Sequence, residues 1–344
     1  MRKGPHRSLF FGAIIMAQFK QSVKKIAVYT SGGDAPGMNA ATRAVVRLGY
    51  QRNLEVYGVI GGYSGMVNDK IQLLQVRDMA NIIQRGGTVI KTGRCLEFLK
   101  PEFRKKAADH LKAHQIDAAV CIGGDGSFQG AHLLWEEHQI PIVGIPGTID
   151  NDIFGTDRTI GFDTAVNTAL DAIDKIRDTA DSHDRVFIVE VMGRNSGAIA
   201  SFVGLAGGAE EIFTPDGNTT VEKAVERIKE SMKRGKKSSI IVTVEGQKPG
   251  RAYDLGDAIR KKSGLDAKVC VLGHQQRGGS PTANDRILAS RMGAAAVETL
   301  LSGICDVMIG IEGHQLVQVP LDIVTKTEKK QSLDYVNLAN LLST

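Results

Sequence analysis

Cysteine is scarce. The 344 residues hold four, Cys95, Cys121, Cys270 and Cys305, and no two of them form a CxxC pair. That argues against a disulfide framework or a zinc centre, and Cys121 and Cys270, inside AAVCIGG and KVCVLG, read as reduced buried thiols. HExxH is missing too. His110 and His114 stand four apart with Leu, Lys and Ala between them, which reads as a solvated helix face. No apolar run reaches the ~18 residues that cross a bilayer. GxxxxGK[ST] does not occur, and GGDGSFQG has the wrong spacing for GxGxxG. A Walker-type nucleotide hydrolase and a dinucleotide-dependent dehydrogenase are thereby disfavoured. Low-complexity linkers and short repeats are missing as well.

Charge of one sign is also lacking once its location is considered. The formal charge is +5, but residues 1–22 carry Arg2, Lys3, Arg7 and Lys20 and no acid. The remainder holds 39 basic and 38 acidic side chains, from totals of 43 and 38. With no helix-turn-helix, zinc motif or aromatic-basic strand, a nucleic-acid surface is not indicated. The tail's LFFGAIIMA after three cations resembles a secretory signal. The preferred reading is a disordered N-terminal extension over 1–22 with Met16 as the physiological start, because the strand KKIAVYT begins almost at once. That reading places the protein in the cytoplasm, with no membrane partner.

Glycine, by contrast, is plentiful: 39 residues, about 11% against a usual ~7%. Seven short apolar runs end in or near glycine: 24–33, 55–62, 117–126, 140–147, 185–193, 238–246 and 267–273. They show little alternation, the mark of parallel strands buried on both faces. Amphipathic stretches separate them. Val166, Ala169, Leu170, Ile173 and Ile176 form one stripe; Val221, Val225, Ile228 and Met232 form another, with Thr219 and Glu222 at capping-box spacing and Gly235 as a stop. The fold class is α/β, with two similar Rossmann-like lobes whose mainly parallel sheets are sandwiched by helices. One lobe is assigned to 23–160 plus about 275–325 and the other to 161–274 plus about 326–344, with a cleft between them. Ligands in such folds sit beyond the carboxyl ends of strands, where the glycines are concentrated.

The strand ends carry chemistry. Gly32 and Gly33 in SGGDAPGMNA let backbone N–H groups face an anion before a helix N-terminus. GGDGS (123–127) repeats that arrangement with Asp125, which reads either as a Mg²⁺ ligand beside phosphate or as a helix cap. In TIDND (148–152), Asp150 suits a general base and Asp152 a partner that orients it or the metal; an Asx-turn is the plainer reading. Arg94, Arg185, Arg194, Lys268 and Arg277 lie near strand ends or glycines and suit phosphate, although each alone would read as a surface charge. Glu245 and His274 can hydrogen-bond sugar hydroxyls or each other. The residues alone thus indicate a Mg²⁺-dependent phosphotransferase acting on a phosphorylated, hydroxylated small molecule.

SGGDAPGMNA, RGGT, GGDGS, PGTIDND, VEVMGR, VLGHQQRGGSP and DRILASRMGA, in that order, resemble the bacterial ATP-dependent 6-phosphofructokinases, from about Lys24 to about residue 320. The resemblance implies transfer of the ATP γ-phosphoryl group to the 1-hydroxyl of fructose 6-phosphate. It implies that Asp150 is the base, with Thr148, Arg194 and Gly33 beside the transferred group. ATP would be held by Gly33, Arg94, Cys95, Gly124, Asp125, Gly126 and Ser127, with Mg²⁺ on Asp125. Fructose 6-phosphate would meet Thr148, Ile149, Asp150, Met192, Gly193, Arg194, Glu245, His274, Gln275, Gln276 and Arg277. Arg185 and Lys268 would reach it from a neighbouring subunit of a homotetramer. An effector site for ADP, GDP or phosphoenolpyruvate would use Arg43, Arg47, Arg177, Gly208, Glu210, Arg234, Lys236 and Lys237.

There are departures. Lys268 stands where the family usually has Arg, Cys95 where some relatives place an aromatic, and Val76 where an effector arginine is common, with Arg77 adjacent. Pyrophosphate-using relatives carry Asp and Lys at the positions of Gly126 and Gly147, so the two glycines favour ATP. Pyrophosphate use, a tagatose 6-phosphate kinase and a catalytically silent sugar-phosphate sensor are the alternatives.

Overall fold

The computed structural model describes residues 16–19, 22–183, 185–236, 238–247 and 249–343. Among the described residues eleven strands form two sheets. The strands are β1 (Lys25–Thr30), β2 (Glu55–Val59), β3 (Ile71–Leu73), β4 (Ala118–Gly123), β5 (Ile142–Pro146), β6 (Val186–Val191), β7 (Glu211–Phe213), β8 (Ser239–Val244), β9 (Ala267–Val271), β10 (Val307–Glu312) and β11 (Gln315–Pro320). The larger sheet has the order β11-β10-β5-β4-β1-β2-β3, with antiparallel edges and a parallel interior. The smaller, β7-β8-β6-β9, is wholly parallel.

All seven apolar runs are strands. The other four strands complete the sheets: VMIGIE of β10 has the same buried pattern, whereas β3 and β7 are three residues long and β11 is a partly exposed edge strand. The sheets have seven and four strands.

Among the described residues eleven α-helices cover the sheets: α1 (Met38–Gln51), α2 (Gly62–Val67), α3 (Pro101–Ala113), α4 (Asp125–His138), α5 (Phe162–His183), α6 (Ala198–Ala206), α7 (Val221–Lys233), α8 (Arg251–Ser263), α9 (Ala283–Leu301), α10 (Leu321–Lys326) and α11 (Asp334–Leu342). The central strands bury both faces. Ile26 and Val28 of β1 join one apolar cluster, Ala27 and Tyr29 another on the opposite face. The first cluster continues through Ile160, Phe162 and Ile173 to Val189 and Val242, so the lobes share a core. Each fully buried Val, Leu or Ile contributes about 1.5–3 kcal/mol relative to exposure.

Local chemistry refines several expectations. The cap of α7 is Thr220, whose Oγ1 accepts from Lys223 N, one residue beyond Thr219. His110 and His114 face α2 and the turn after it: His110 Nδ1 pairs with Met66 O at 2.9 Å and His114 Nε2 with Asp69 Oδ1 at 2.8 Å. Asp285, from DRILASRMGA, takes up the orphan donors at the start of α5, accepting from Gly161 N, Thr164 N and Thr164 Oγ1. Burial pushes its carboxyl up to about 6, against those donors. Within the 1–22 extension, Phe19 N donates to Gly303 O and Cys305 N to Ala17 O, and Gln18 bridges Ile304. At least this stretch is paired, contrary to the disorder expected of it; residues 1–15, 20 and 21 lie outside the described residues.

Candidate active site

The carboxyl ends of β1, β4 and β5 open onto a cavity of about 510 Å³. It is lined by Gly33, Arg94, Cys95, Gly124, Asp125, Gly126, Ser127, Thr148, Asp150, Arg194 and Arg277, which lie far apart in the chain. Gly124 to Ser127 form the entry to α4, so their N–H groups and the helix dipole face the cavity. A Cβ on Gly33 would lie 2.8 Å from Arg277 Nη1, the mobile end of that side chain, so the two segments meet closely here. Arg277 Nη1 donates to Asp34 O at 3.3 Å, tying the far end of the chain to the first glycine turn.

Asp150 stands at the centre. Its loop is held by Thr159 Oγ1 donating to Thr148 O at 2.6 Å, Asp150 N donating to Thr148 Oγ1 at 3.2 Å, and Ser196 Oγ donating to Asp150 O at 2.7 Å. Its Oδ1 is buried with no hydrogen-bond partner. Burial raises the carboxyl to about 6, helped by Asp152 and Glu245 and opposed by Arg277 and Arg194. A carboxylate with a spare oxygen and a raised proton affinity suits proton abstraction near neutrality.

Arg194 sits at φ 51 after Gly193 at φ 138. A Cβ on Gly193 would meet Ser196 O at 2.5 Å, so only glycine fits this turn. Arg194 Nε lies 3.9 Å from Glu245 Oε1. Burial raises the Glu245 carboxyl, opposed by Arg194, Arg277 and His274, which places these four groups in one neighbourhood. The exposed Gln275 adjoins them. Ile149 and Gln276 behave differently. Ile149 is a core side chain. Gln276 is fully buried; its Oε1 accepts from Met192 N at 2.7 Å and its Nε2 donates to Ala165 O at 3.1 Å. Its amide therefore holds Met192 in place and has no free atom for a substrate.

Arg185 and Lys268 do not join the cleft. They stand at the amino ends of β6 and β9, with Phe187 opposite Lys268 in the register, whereas the site lies at the carboxyl ends. Six residues of strand separate the two ends by about 20 Å. Lys268 Nζ pairs with Asp266 Oδ2 at 2.8 Å, and Arg185 contributes to the same field at Asp266.

The effector candidates divide between lobes. Arg43 and Arg47 share a face of α1, where burial and then Arg47 lower the proton affinity of Arg43, and Arg47 Nε is buried without a partner. In the smaller lobe Arg177 donates to Gly207 O and Gly208 O, Lys236 pairs with Glu210, and Arg234 Nη2 donates to Ser231 Oγ at 3.4 Å. Lys237 lies outside the described residues.

Sequence reasoning missed the apolar wall of the cavity. Tyr63 stacks on Phe98 with centroids 3.9 Å apart, and Leu96 and Leu99 flank them although 77% and 73% exposed. Arg104 secures this turn by donating to Phe98 O and Leu99 O while gripping Glu137 at 2.6 and 2.7 Å. Flat aromatic and aliphatic surfaces beside an anion-binding helix entry suit a nucleotide base and its phosphates. No motif carries this wall.

The Phosphofructokinase family model matches residues 25–300. The chain belongs to the phosphofructokinase family. It is 55% identical over 321 residues to the ATP-dependent 6-phosphofructokinase 1 of Thermus thermophilus, covering 93% of this chain and 100% of that protein. It is 53% identical over 312 residues to the ATP-dependent 6-phosphofructokinase of Bacillus licheniformis, covering 91% and 96%. A solved phosphofructokinase from Saccharomyces cerevisiae matches with TM-score 0.82 and 39% identity over 88% of this chain and 45% of that one. The chain thus spans less than half of the yeast protein's length.

Mg²⁺ fits the residues present. Asp125 and Asp152 share the wall of an adjoining cavity, and the Asp125 carboxyl is raised by desolvation and by Asp152. Two mutually repelling carboxylates favour a cation between them. Among the described residues no cluster of three or more His, Cys, Asp or Glu could hold a metal, so substrate phosphates and water would have to complete the shell.

Proposed function

We propose that this phosphofructokinase transfers the γ-phosphoryl group of ATP to the 1-hydroxyl of fructose 6-phosphate, giving fructose 1,6-bisphosphate and ADP, the committed step of glycolysis. The observation that carries the reading is the Asp150 carboxyl. It has an unpartnered oxygen, is raised to about 6, and lines the same cavity as the Asp125 helix entry, Arg194 and Arg277.

Asp150 accepts the hydroxyl proton as the oxygen attacks phosphorus. Arg194 and Arg277 meet the charge spread over the transferring group, and α4 offers its N-terminal N–H groups to the phosphates. Mg²⁺ on Asp125, with Asp152 beside it, would neutralise phosphate charge. Glu245 and His274 orient the sugar; Tyr63, Phe98 and Leu96 shelter the base. The names of the bacterial relatives support ATP over pyrophosphate, as does the open space at Gly126. The placing of Arg185 and Lys268 away from the cleft supports a homotetramer in which each subunit completes another's site. ADP, GDP or phosphoenolpyruvate as effectors and a cytoplasmic location belong to the same reading.

A coupled assay with fructose 6-phosphate and Mg²⁺, on wild type and Asp150→Ser, tests it. The expected result is turnover with ATP and a loss of about 10²–10⁴-fold in Asp150→Ser. Near wild-type turnover in that variant would remove Asp150 as the base. Far better use of pyrophosphate than ATP would remove the donor assignment.

A further inference from the structure

The chain crosses from the larger lobe to the smaller one a last time between α10 and α11. The helix α10 packs on α4 and β11, whereas α11 packs on α6 and β7. The connecting segment, residues 327–333, passes directly behind the catalytic loop. Lys329 Nζ donates to Asn151 Oδ1 at 3.2 Å, and Gln331 Nε2 donates to Asn151 O at 3.2 Å. The remaining side-chain group of Asn151, Nδ2, donates to Asp157 O at 3.1 Å. Asn151 is buried and sits at φ 48, in the left-handed region that asparagine tolerates better than most side chains, and these hydrogen bonds hold it there. Its neighbours in sequence are Asp150 and Asp152.

The grip is two-sided. Ser196, at the start of the smaller lobe's α6, holds the Asp150 carbonyl, and the crossing segment holds the next residue. The Lys329 ammonium is half-buried and faces Asp152 and Asp157 as well as Asn151. It also lies between the cavity that contains Asp125 and Asp152 and the one behind Asn151. A surface lysine that only solvates its segment would not be placed there.

We propose that Lys329 and Gln331 are positioning residues for phosphoryl transfer, clamping Asn151 so that Asp150 is aimed at the acceptor hydroxyl. Neither residue lines the 510 Å³ cavity; both line the adjoining one with Asp125 and Asp152. Their effect is on the orientation of the base, and therefore on kcat rather than on ATP binding. A misplacement of about 1 Å in such a group costs on the order of 10²-fold in rate.

The inference rests on the fructose 6-phosphate reading, and steady-state kinetics on the intact enzyme can separate the two. Wild type, Lys329→Met, Lys329→Arg and Gln331→Ala are compared with ATP and fructose 6-phosphate, and their thermal midpoints are measured. Lys329→Met should lose about 10–100-fold in kcat while the ATP KM stays within about threefold. Lys329→Arg, which keeps charge and donors, should recover most of the loss, and Gln331→Ala should lose about threefold to tenfold. A Lys329→Met enzyme with wild-type kcat overturns the role, as does an Arg variant no better than the Met variant. If Lys329→Met does not fold, Gln331→Ala decides, and a wild-type kcat there overturns it. If wild type itself does not phosphorylate fructose 6-phosphate, the activity reading has failed instead.

Discussion

Replacing Gly126 by Asp should turn the nucleotide cavity against a triphosphate without harming the fold. Gly126 is the second residue of α4 and lines the cavity, and a Cβ built on it meets no atom within 4 Å. The substitution therefore costs no packing. It removes a helical glycine, worth about 1 kcal/mol, and places a carboxylate in a first turn, worth about 0.3–1 kcal/mol. The thermal midpoint should hold or rise. Binding moves the other way. A negative charge about 4 Å from a phosphate oxygen costs about 4 kcal/mol at an effective dielectric near 20, roughly a thousandfold in affinity. Mg²⁺ and side-chain rotation soften this, so the ATP KM should rise about 10²-fold. Gly126→Ala provides the uncharged control and should shift the ATP KM by less than about threefold. Coupled kinetics with ATP and with pyrophosphate, alongside thermal melts, read both effects. A folded Gly126→Asp enzyme with the wild-type ATP KM would refute the claim that this wall faces the phosphates.

Two further outcomes follow from the site. Because the folded Asp150 carboxyl is raised to about 6, kcat/KM should climb as pH rises through about 6 and level off above it. The same shift means the native state holds that proton more tightly than the unfolded chain. Its contribution to stability is therefore present below the ordinary carboxylate range and lost as pH rises through about 6; a pH–rate profile flat from 5 to 8 would contradict the assignment. Lys268→Arg should lower the fructose 6-phosphate KM in the assembled enzyme, since Asp266 already occupies the Lys268 ammonium while a guanidinium has donors to spare; an unchanged or higher KM counts against it.

Much of this was legible in the residues because its physics is local. A strand buried on both faces must be a short unbroken apolar run, so all seven such runs are strands. A backbone that meets phosphate must be bare, so glycines mark the ends of β1 and β4, and Gly193 has no alternative beside Ser196. The carboxylates and arginines that handle charge announced themselves by standing next to those glycines.

What the sequence could not supply depends on distances between segments remote along the chain. Arg277 and Gly33 are neighbours only after folding, as are Asp285 and the start of α5. Gln276 sits in a motif that reads as substrate-binding, yet burial assigns both its amide atoms to backbone groups. Arg185 and Lys268 have a charge suited to phosphate, but strand direction puts them at the end of their sheet away from the cleft. The Tyr63–Phe98 wall and the Lys329–Gln331 clamp have no motif, because they act through packing and through hydrogen bonds to backbone, which many sequences can provide. Local backbone demands and paired charges thus determined the fold class and nominated the candidate residues. Only the tertiary structure decided which of those residues share a cavity, because that depends on how the sheets and their crossings bring distant strand ends together.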